Sequence, residues 1–294
     1  MLFLNRRTIR DELYKLEVRC CANPESNLLF ALFGDLPDAD AQRMETDAAL
    51  LRQAEEGIAA LDRRYGPGRF YLLYREREWV ETERRFIGWE RKRGKLEELN
   101  RLLSGAPPRG GRRIVHAGDP EKLADIRYVI TLDSDTQLPR GAARRMIETM
   151  AHPLNRARLA PGGRLVAGGC AIVQPRVSIS LPSAMATPFS RLYTDPVGTD
   201  PYTRAVSDVY QDLAGEASYL GKGIYDPRIF HRVLSGRFPE QLLLSHDLIE
   251  GAHVGAGLAS DIELYEEFPP NYLSYMRRQR SEERRVGKEC RSRW

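Results

Sequence analysis

The stretch Tyr128-Val-Ile-Thr-Leu132, running without a break into Asp133-Ser-Asp135, constrains the fold more than any other. Five successive apolar, aromatic or β-branched residues match a strand buried on both faces, and such strands belong to sheets covered by helices. The rest of the chain supplies those helices. Apolar residues at Ile9, Leu13, Leu16 and Val18 mark a short amphipathic helix over Thr8–Val18. Asn27–Asp35 reads as a buried strand ending in a Gly-Asp loop, and Ala41–Tyr65 as a long helix stopped by Gly66-Pro67-Gly68. Phe70–Tyr74 is a second strand, and Gly94–Leu103 a helix ended by Gly105-Ala-Pro-Pro. After the Asp pair come a helix over Arg140–Met150 and a strand-rich stretch from Leu165 to Ser178. Beyond Ala184, helical pieces near Arg204–Leu213, Pro227–Leu234 and His246–Ala256 are separated by loops rich in Gly and Pro. Strands alternating with helices predict an α/β domain whose sheet is mixed, mostly parallel and flanked by helices. Sites in such sheets lie at the carboxyl ends of strands, where Asp35, Asp133 and Asp135 all fall.

Composition excludes several classes. Of 294 residues, 42% are hydrophobic and 29% charged, which suits a globular chain and not a disordered one. The balance of 45 Lys+Arg against 41 Asp+Glu leaves +4, too small and too scattered a surplus to predict a nucleic-acid partner. No apolar run approaches the roughly 20 residues that span a bilayer. Met1-Leu-Phe-Leu meets Asn5-Arg6-Arg7 at once, so this stretch is not expected to act as a signal peptide. Cys20, Cys21, Cys170 and Cys290 form neither a disulfide framework nor a C-x-x-C zinc pair, and a reducing, cytosolic setting is the expectation. Arg280–Trp294 has no helical or strand period and resembles, codon for codon, the translation of a common sequencing adapter. The folded domain is therefore expected over 1–280, with 281–294 a non-native tail that contributes half of the net charge. The native sequence is expected to continue past Arg280.

Chemistry concentrates at a few places. In an extended segment, residues two apart point the same way, so Asp133 and Asp135 can share a hard divalent cation that bridges phosphate oxygens. They can equally cap the following turn. A third possibility is a phosphohydrolase with Asp133 as nucleophile; that chemistry demands Thr or Val at the position held here by Gln137, which counts against it. Asp247, after the run Leu242-Leu-Leu-Ser-His246, can be a helix N-cap or a general base for an acceptor hydroxyl, with His246 as its hydrogen-bonding neighbour. Glycines around Lys222 in Gly221-Lys-Gly223 allow backbone to approach a ligand, without the spacing of a P-loop. Arg91-Lys-Arg-Gly-Lys95 can meet phosphate at a helix start or be a solvated basic turn. Tyr202, Tyr210, Tyr219 and Tyr225 suit either a sugar-stacking surface or an α/β core.

The order Asp35, Asp133-Ser-Asp135, Asp247, Arg277-Arg-Gln-Arg280 resembles the "D, D-x-D, D, Q-x-x-R-W" pattern of processive inverting glycosyltransferases of the cellulose-synthase type, which have a GT-A fold. Longer motifs sharpen this. Trp89–Asn100, Ile130–Pro139, Asp200–Asp212, Gly221–Asp226 and Ser245–Gly251 are similar to the glycosyltransferase domain of bacterial cyclic β-1,2-glucan synthases, and the likeness runs from Asn5 to Arg280. The resemblance implies that Asp35 meets the uridine end of UDP-glucose. It implies that Asp133 and Asp135 hold the diphosphate through Mg²⁺ or Mn²⁺, with Lys95 as a phosphate partner. Asp247 would be the base that frees an acceptor 2-hydroxyl for in-line attack, inverting the anomeric carbon. Gly221, Lys222 and Gly223, with Gln174 and Arg176, would line the side of the β-1,2-glucan acceptor. The family is embedded in the bacterial inner membrane with this domain on the cytoplasmic face, so contact with a membrane is expected only through flanking segments. Two departures matter: the family's first strand would precede Met1, and Arg277 replaces the Gln while Ser281 replaces the Trp of the last motif. A domain truncated at both ends, with little turnover alone, is the resulting expectation.

Overall fold

A computed structural model describes residues 4–111, 114–194, 209–239 and 246–278. They form two compact units, Met1–Arg127 and Tyr128–Trp294. The tail 281–294, Tyr202 and most of the expected helix near Arg204 lie outside the described residues.

The first unit opens with α1 (Arg6–Ala22), whose start is written locally. The Asn5 side chain accepts from the N–H groups of Arg7 and Thr8, and the Thr8 hydroxyl accepts from Asn5 N–H, a reciprocal cap. Next come β1 (Phe30–Asp35), α2 (Asp47–Tyr65) and β2 (Phe70–Arg75), a β-α-β crossover that makes β1 and β2 parallel in the register Asp35↔Arg75. Gly66, at φ 112°, ends α2, and the Asp62 carboxylate then accepts from the N–H groups of Gly68, Arg69 and Phe70, which fixes the entry into β2. Ile9, Leu16, Ile58, Leu61, Phe70 and Leu72 close the core between α1, α2 and the sheet, each burial worth about 1.5–3 kcal/mol. A hairpin, β3 (Glu78–Val80) and β4 (Arg85–Ile87), precedes α3 (Arg91–Leu103) and β5 (Val115–Ala117), which pairs antiparallel with β2.

The second unit begins with β6 (Val129–Thr131), α4 (Ala142–Ala151), the ribbon β7 (Arg158–Leu159) and β8 (Val166–Gly168), and β9 (Ile172–Ile179). Three short helices, α5 (Leu181–Ala184), α6 (Pro188–Tyr193) and α7 (Val209–Ala214), lead to β10 (Gly223–Tyr225), α8 (Pro227–Leu234), α9 (Asp247–Val254) and β11 (Ala256–Glu266). The sheet order is β11-β9-β10-β6, with Ile172, Tyr225, Phe230, Val233 and Val254 in its core. Asp226 caps α8 by accepting from Arg228 and Ile229 N–H, with Pro227 at the first helical position.

The α/β class holds, but the sheets are not mostly parallel. Among the described residues β1/β2 and β9/β11 are parallel, whereas β2/β5, β9/β10, β6/β10 and the two ribbons are antiparallel. β10 enters the sheet from the glycine loop at Gly221 and wedges between β9 and β6 in the opposite sense. Antiparallel on both sides, β10 leaves β6, β9 and β11 pointing the same way. Their carboxyl ends and the start of β10 therefore share one edge. Among the described residues no helix is long and apolar enough to cross a membrane.

Candidate functional site

In the first unit, the end of β1 delivers Asp35 to a buried ion-pair centre. Asp35 is 1% exposed. Arg75 Nε donates to its Oδ1 at 3.0 Å and Nη2 to Oδ2 at 3.2 Å, the fork that parallel register places opposite. Lys95, from α3, brings Nζ to 3.2 Å from Oδ2. Burial alone would push the Asp35 carboxyl up; Lys95 and Arg75 outweigh it and hold the group below the ordinary carboxylate range. Arg75 also donates to the carbonyls of Trp89 (2.7 Å) and Arg91 (2.9 Å), so it ties β2 to the start of α3. The basic run beside Lys95 is mostly paired within the unit: Arg91 with Asp38 at 2.9 Å, Arg93 with Glu90 at 3.0 Å. Arg75 was not singled out from sequence, although a charged residue closing an otherwise apolar strand was its signal.

In the second unit the shared sheet edge gathers carboxylates. Past β6 the chain turns through Asp133–Thr136, with Thr136 N–H bonding to Asp133 O at 3.1 Å. It then crosses to β11, where Gln137 N–H donates to Tyr265 O at 2.7 Å. That crossing sets Asp133 and Asp135 beside Glu266, the last residue of β11. Oxygens of Asp133, Asp135 and Glu266 lie within 4.8 Å of one another. Glu266 is 5% exposed and accepts from Thr136 Oγ1 at 3.2 Å. Lys222, just before β10, places Nζ 2.5 Å from Glu266 Oε1 and 3.6 Å from Asp133 Oδ2. Arg278 stands 3.6 Å from both Asp135 Oδ2 and Glu266 Oε2. Burial pulls the Lys222 ammonium down, but Glu266 and Asp133 outweigh it and keep its pKa above the usual lysine value. Three carboxylates converging through oxygen alone make a donor set that fits Mg²⁺ or Mn²⁺. Glu266 escaped the sequence reading because β11 itself was not recognised; it obeys the same strand-end rule as Asp133.

The glycines around Lys222 are structural requirements. Gly221 (φ 79°) and Gly223 (φ 144°) adopt backbone that favours glycine, and a Cβ on Gly223 would lie 2.4 Å from Val173 O. Gln174 is fully buried in β9: its Oε1 accepts from Leu220 N–H at 3.0 Å and so anchors this loop. Arg176, one pleat on, pairs with Glu263 at 2.9 Å. Burial raises the Glu263 carboxyl, yet donors from Ser178, Tyr265 and Arg176 bring it below the ordinary range.

Asp247 is the first residue of α9. His246 Nδ1 is 2.8 Å from Glu250 Oε2 and 3.6 Å from Asp247 Oδ1, so the histidine is a buried neighbour of the carboxylate. Helix α9 packs on Tyr219, since a Cβ on Gly251 would meet Tyr219 Cβ at 2.7 Å. Burial first, then the charge of Asp247, raises the Tyr219 phenol well above its ordinary value, so it stays neutral. Its hydroxyl lies 3.3 Å from Thr131 Oγ1, at the end of β6 two residues before Asp133. One phenol thus touches the strand that leads to the Asp pair and feels the carboxylate at the head of α9. Tyr219 and Tyr225 are core residues.

The chain is an α/β protein with acidic residues at strand ends, and its sequence is similar to part of a glucan synthase. It matches the cyclic β-(1,2)-glucan synthase NdvB of Rhizobium meliloti (strain 1021) with 43% identity over 277 residues, 92% of this chain. The matched segment covers 10% of that synthase, so the chain spans about a tenth of the length of the curated relative it matches. No protein-family model matches the chain.

Proposed function

We propose that this chain carries the sugar-transfer step of a cyclic β-1,2-glucan synthase, moving glucose from UDP-glucose to a growing β-1,2-glucan with inversion at the anomeric carbon. The observation that carries the reading is the identity to such a synthase across almost the whole chain. The grouping of Asp133, Asp135 and Glu266 supports it, because three converging carboxylates can hold a cation of the kind that departing UDP needs as its negative charge grows. Mg²⁺ or Mn²⁺ held there would supply Lewis-acid stabilisation of the diphosphate. Lys222 and Arg278 add positive charge at the same edge, and buried Thr136 and Gln174 hold the two loops still. Asp247 takes the proton of the acceptor hydroxyl on a carboxylate oxygen, and His246, steadied by Glu250, keeps that carboxylate oriented. In the first unit Asp35 and Lys95 pair with each other, and Arg75 holds Asp35 ionised; the uridine and phosphate roles that the resemblance implies for them require that buried pairing to open. Arg176, Gly221 and Gly223 remain the acceptor-side candidates.

The test is a segment exchange. The Rhizobium meliloti synthase, carrying residues 5–280 of this chain in place of its own matching segment, is given radiolabelled UDP-glucose, and product linkage is determined. Cyclic β-1,2-glucan is expected, with Asp247→Asn lowering the rate about 10²–10⁴-fold. Near-normal synthesis by Asp247→Asn, or a different linkage, contradicts the assignment.

A further inference from the structure

The carboxylates at the shared edge already carry a cation of the chain's own. Lys222 Nζ sits between Glu266 Oε1 (2.5 Å) and Asp133 Oδ2 (3.6 Å), and its side chain is only 14% exposed. The position is built. Gly221 and Gly223 provide the backbone turn, the Gly223 Cα faces Val173 O too closely for any side chain, and buried Gln174 clamps Leu220 N–H. On the other flank Arg278 reaches Asp135 and Glu266 at 3.6 Å each. Among the described residues that converge here, Asp133, Asp135 and Glu266 are met by Lys222 and Arg278, and both cations lower the pull on a divalent cation while they stay in place.

We infer that Lys222 is a resident counter-ion: its ammonium occupies the Asp133–Glu266 end of the site, a divalent cation must displace it, and the displaced ammonium then serves the nucleotide diphosphate. This deepens the proposed function and rests on it for the cation and the nucleotide. An ammonium and a dication cannot share carboxylate oxygens this close together without strong repulsion, so one excludes the other. Once a diphosphate adds its own negative charge, the same ammonium becomes an attractive partner. Lys222 therefore opposes the metal alone and favours the nucleotide. A lysine with a merely structural role would not produce opposite signs. On this reading it belongs to the donor side of the reaction and not to the acceptor side.

The full chain is titrated with Mn²⁺ without nucleotide, free Mn²⁺ being read by electron paramagnetic resonance, and then with UDP at saturating Mn²⁺ by calorimetry. Lys222→Met keeps the length of the side chain and removes its charge; Lys222→Arg keeps the charge. Lys222→Met is expected to bind Mn²⁺ about tenfold tighter and UDP about tenfold weaker than wild type, with Lys222→Arg close to wild type. Equal or weaker Mn²⁺ binding by Lys222→Met overturns the counter-ion, and leaves the underlying metal reading intact if wild type binds. Failure of both wild type and Lys222→Met to bind Mn²⁺ overturns the two together. Should Lys222→Met not fold, the ¹⁵Nζ resonance of Lys222 in the wild-type chain decides: movement on adding Mg²⁺ supports displacement, and no movement with Mg²⁺ bound overturns it.

Discussion

Replacing Asp35 by Asn should cost the first unit more than any exposed change. The carboxylate is 1% exposed and meets two cations, Arg75 through a double hydrogen bond and Lys95 at 3.2 Å. Asn keeps the shape and removes the charge, leaving two buried cations on a neutral amide. Breaking a buried ion pair from one side typically costs about 3–5 kcal/mol. With an m-value near 2 kcal/mol per M in urea, that is a midpoint lowered by roughly 2 M. Trp79 and Trp89 both belong to the first unit, so in a Trp294→Phe background fluorescence follows that unit specifically. The pH dependence has a definite sign. The folded-state carboxyl lies below its ordinary value, so its contribution is complete above about pH 4–5, where the unfolded group is also ionised. It fades as the pH falls through the folded-state value. The gap between wild type and Asp35→Asn should be flat from neutral pH to about pH 5.5 and narrow below about pH 4. Adding Lys95→Met to Asp35→Asn should recover part of the loss, since one stranded cation goes. A gap under about 1 kcal/mol at pH 7, or one that widens in acid, would refute the reasoning.

Two further outcomes follow from the same geometry. Gly223→Ala introduces a Cβ 2.4 Å from Val173 O at φ 144°, so it should destabilise the second unit by about 2 kcal/mol or more and slacken amide protection in β10, read by hydrogen exchange. Arg77→Met removes a guanidinium that bonds Asp47 at 2.7 and 2.9 Å, and leaves a buried carboxylate with the Met44 N–H but without its cation; a loss of about 2–4 kcal/mol is expected in urea melts.

Much of this was legible in the sequence, for identifiable reasons. Apolar runs named β1, β2 and β6; the helical pattern named α4 and α8 within a few residues, and α2 with its Gly-Pro-Gly stop, though α2 starts at Asp47 and not at Ala41. What periodicity cannot convey is the direction in which strands pair. Gly223-Ile-Tyr225 carries no strand signal beside its glycine loop, and only the finished sheet shows it lying antiparallel between β9 and β6. Strand β11 was missed because Ser260 and Asp261 interrupt its apolar pattern at the irregularity between Ala259 and Glu263. With β11 hidden, Glu266 looked like one acid among many. Asp133 and Asp135 needed no such context, since each follows a strand that announces itself. Arg75 and Lys222 are cases of the same limit: sequence shows a charge, and only register shows which carboxylate it meets.

The sharpest measurement is calorimetric titration of this chain with UDP, with and without Mn²⁺, in wild type and in Asp133→Asn and Asp135→Asn. Binding that requires Mn²⁺ and falls at least about tenfold in either variant is the result expected from acidic strand ends that hold a cation for a nucleotide. UDP affinity that is the same without the metal, and unmoved by either substitution, would contradict it.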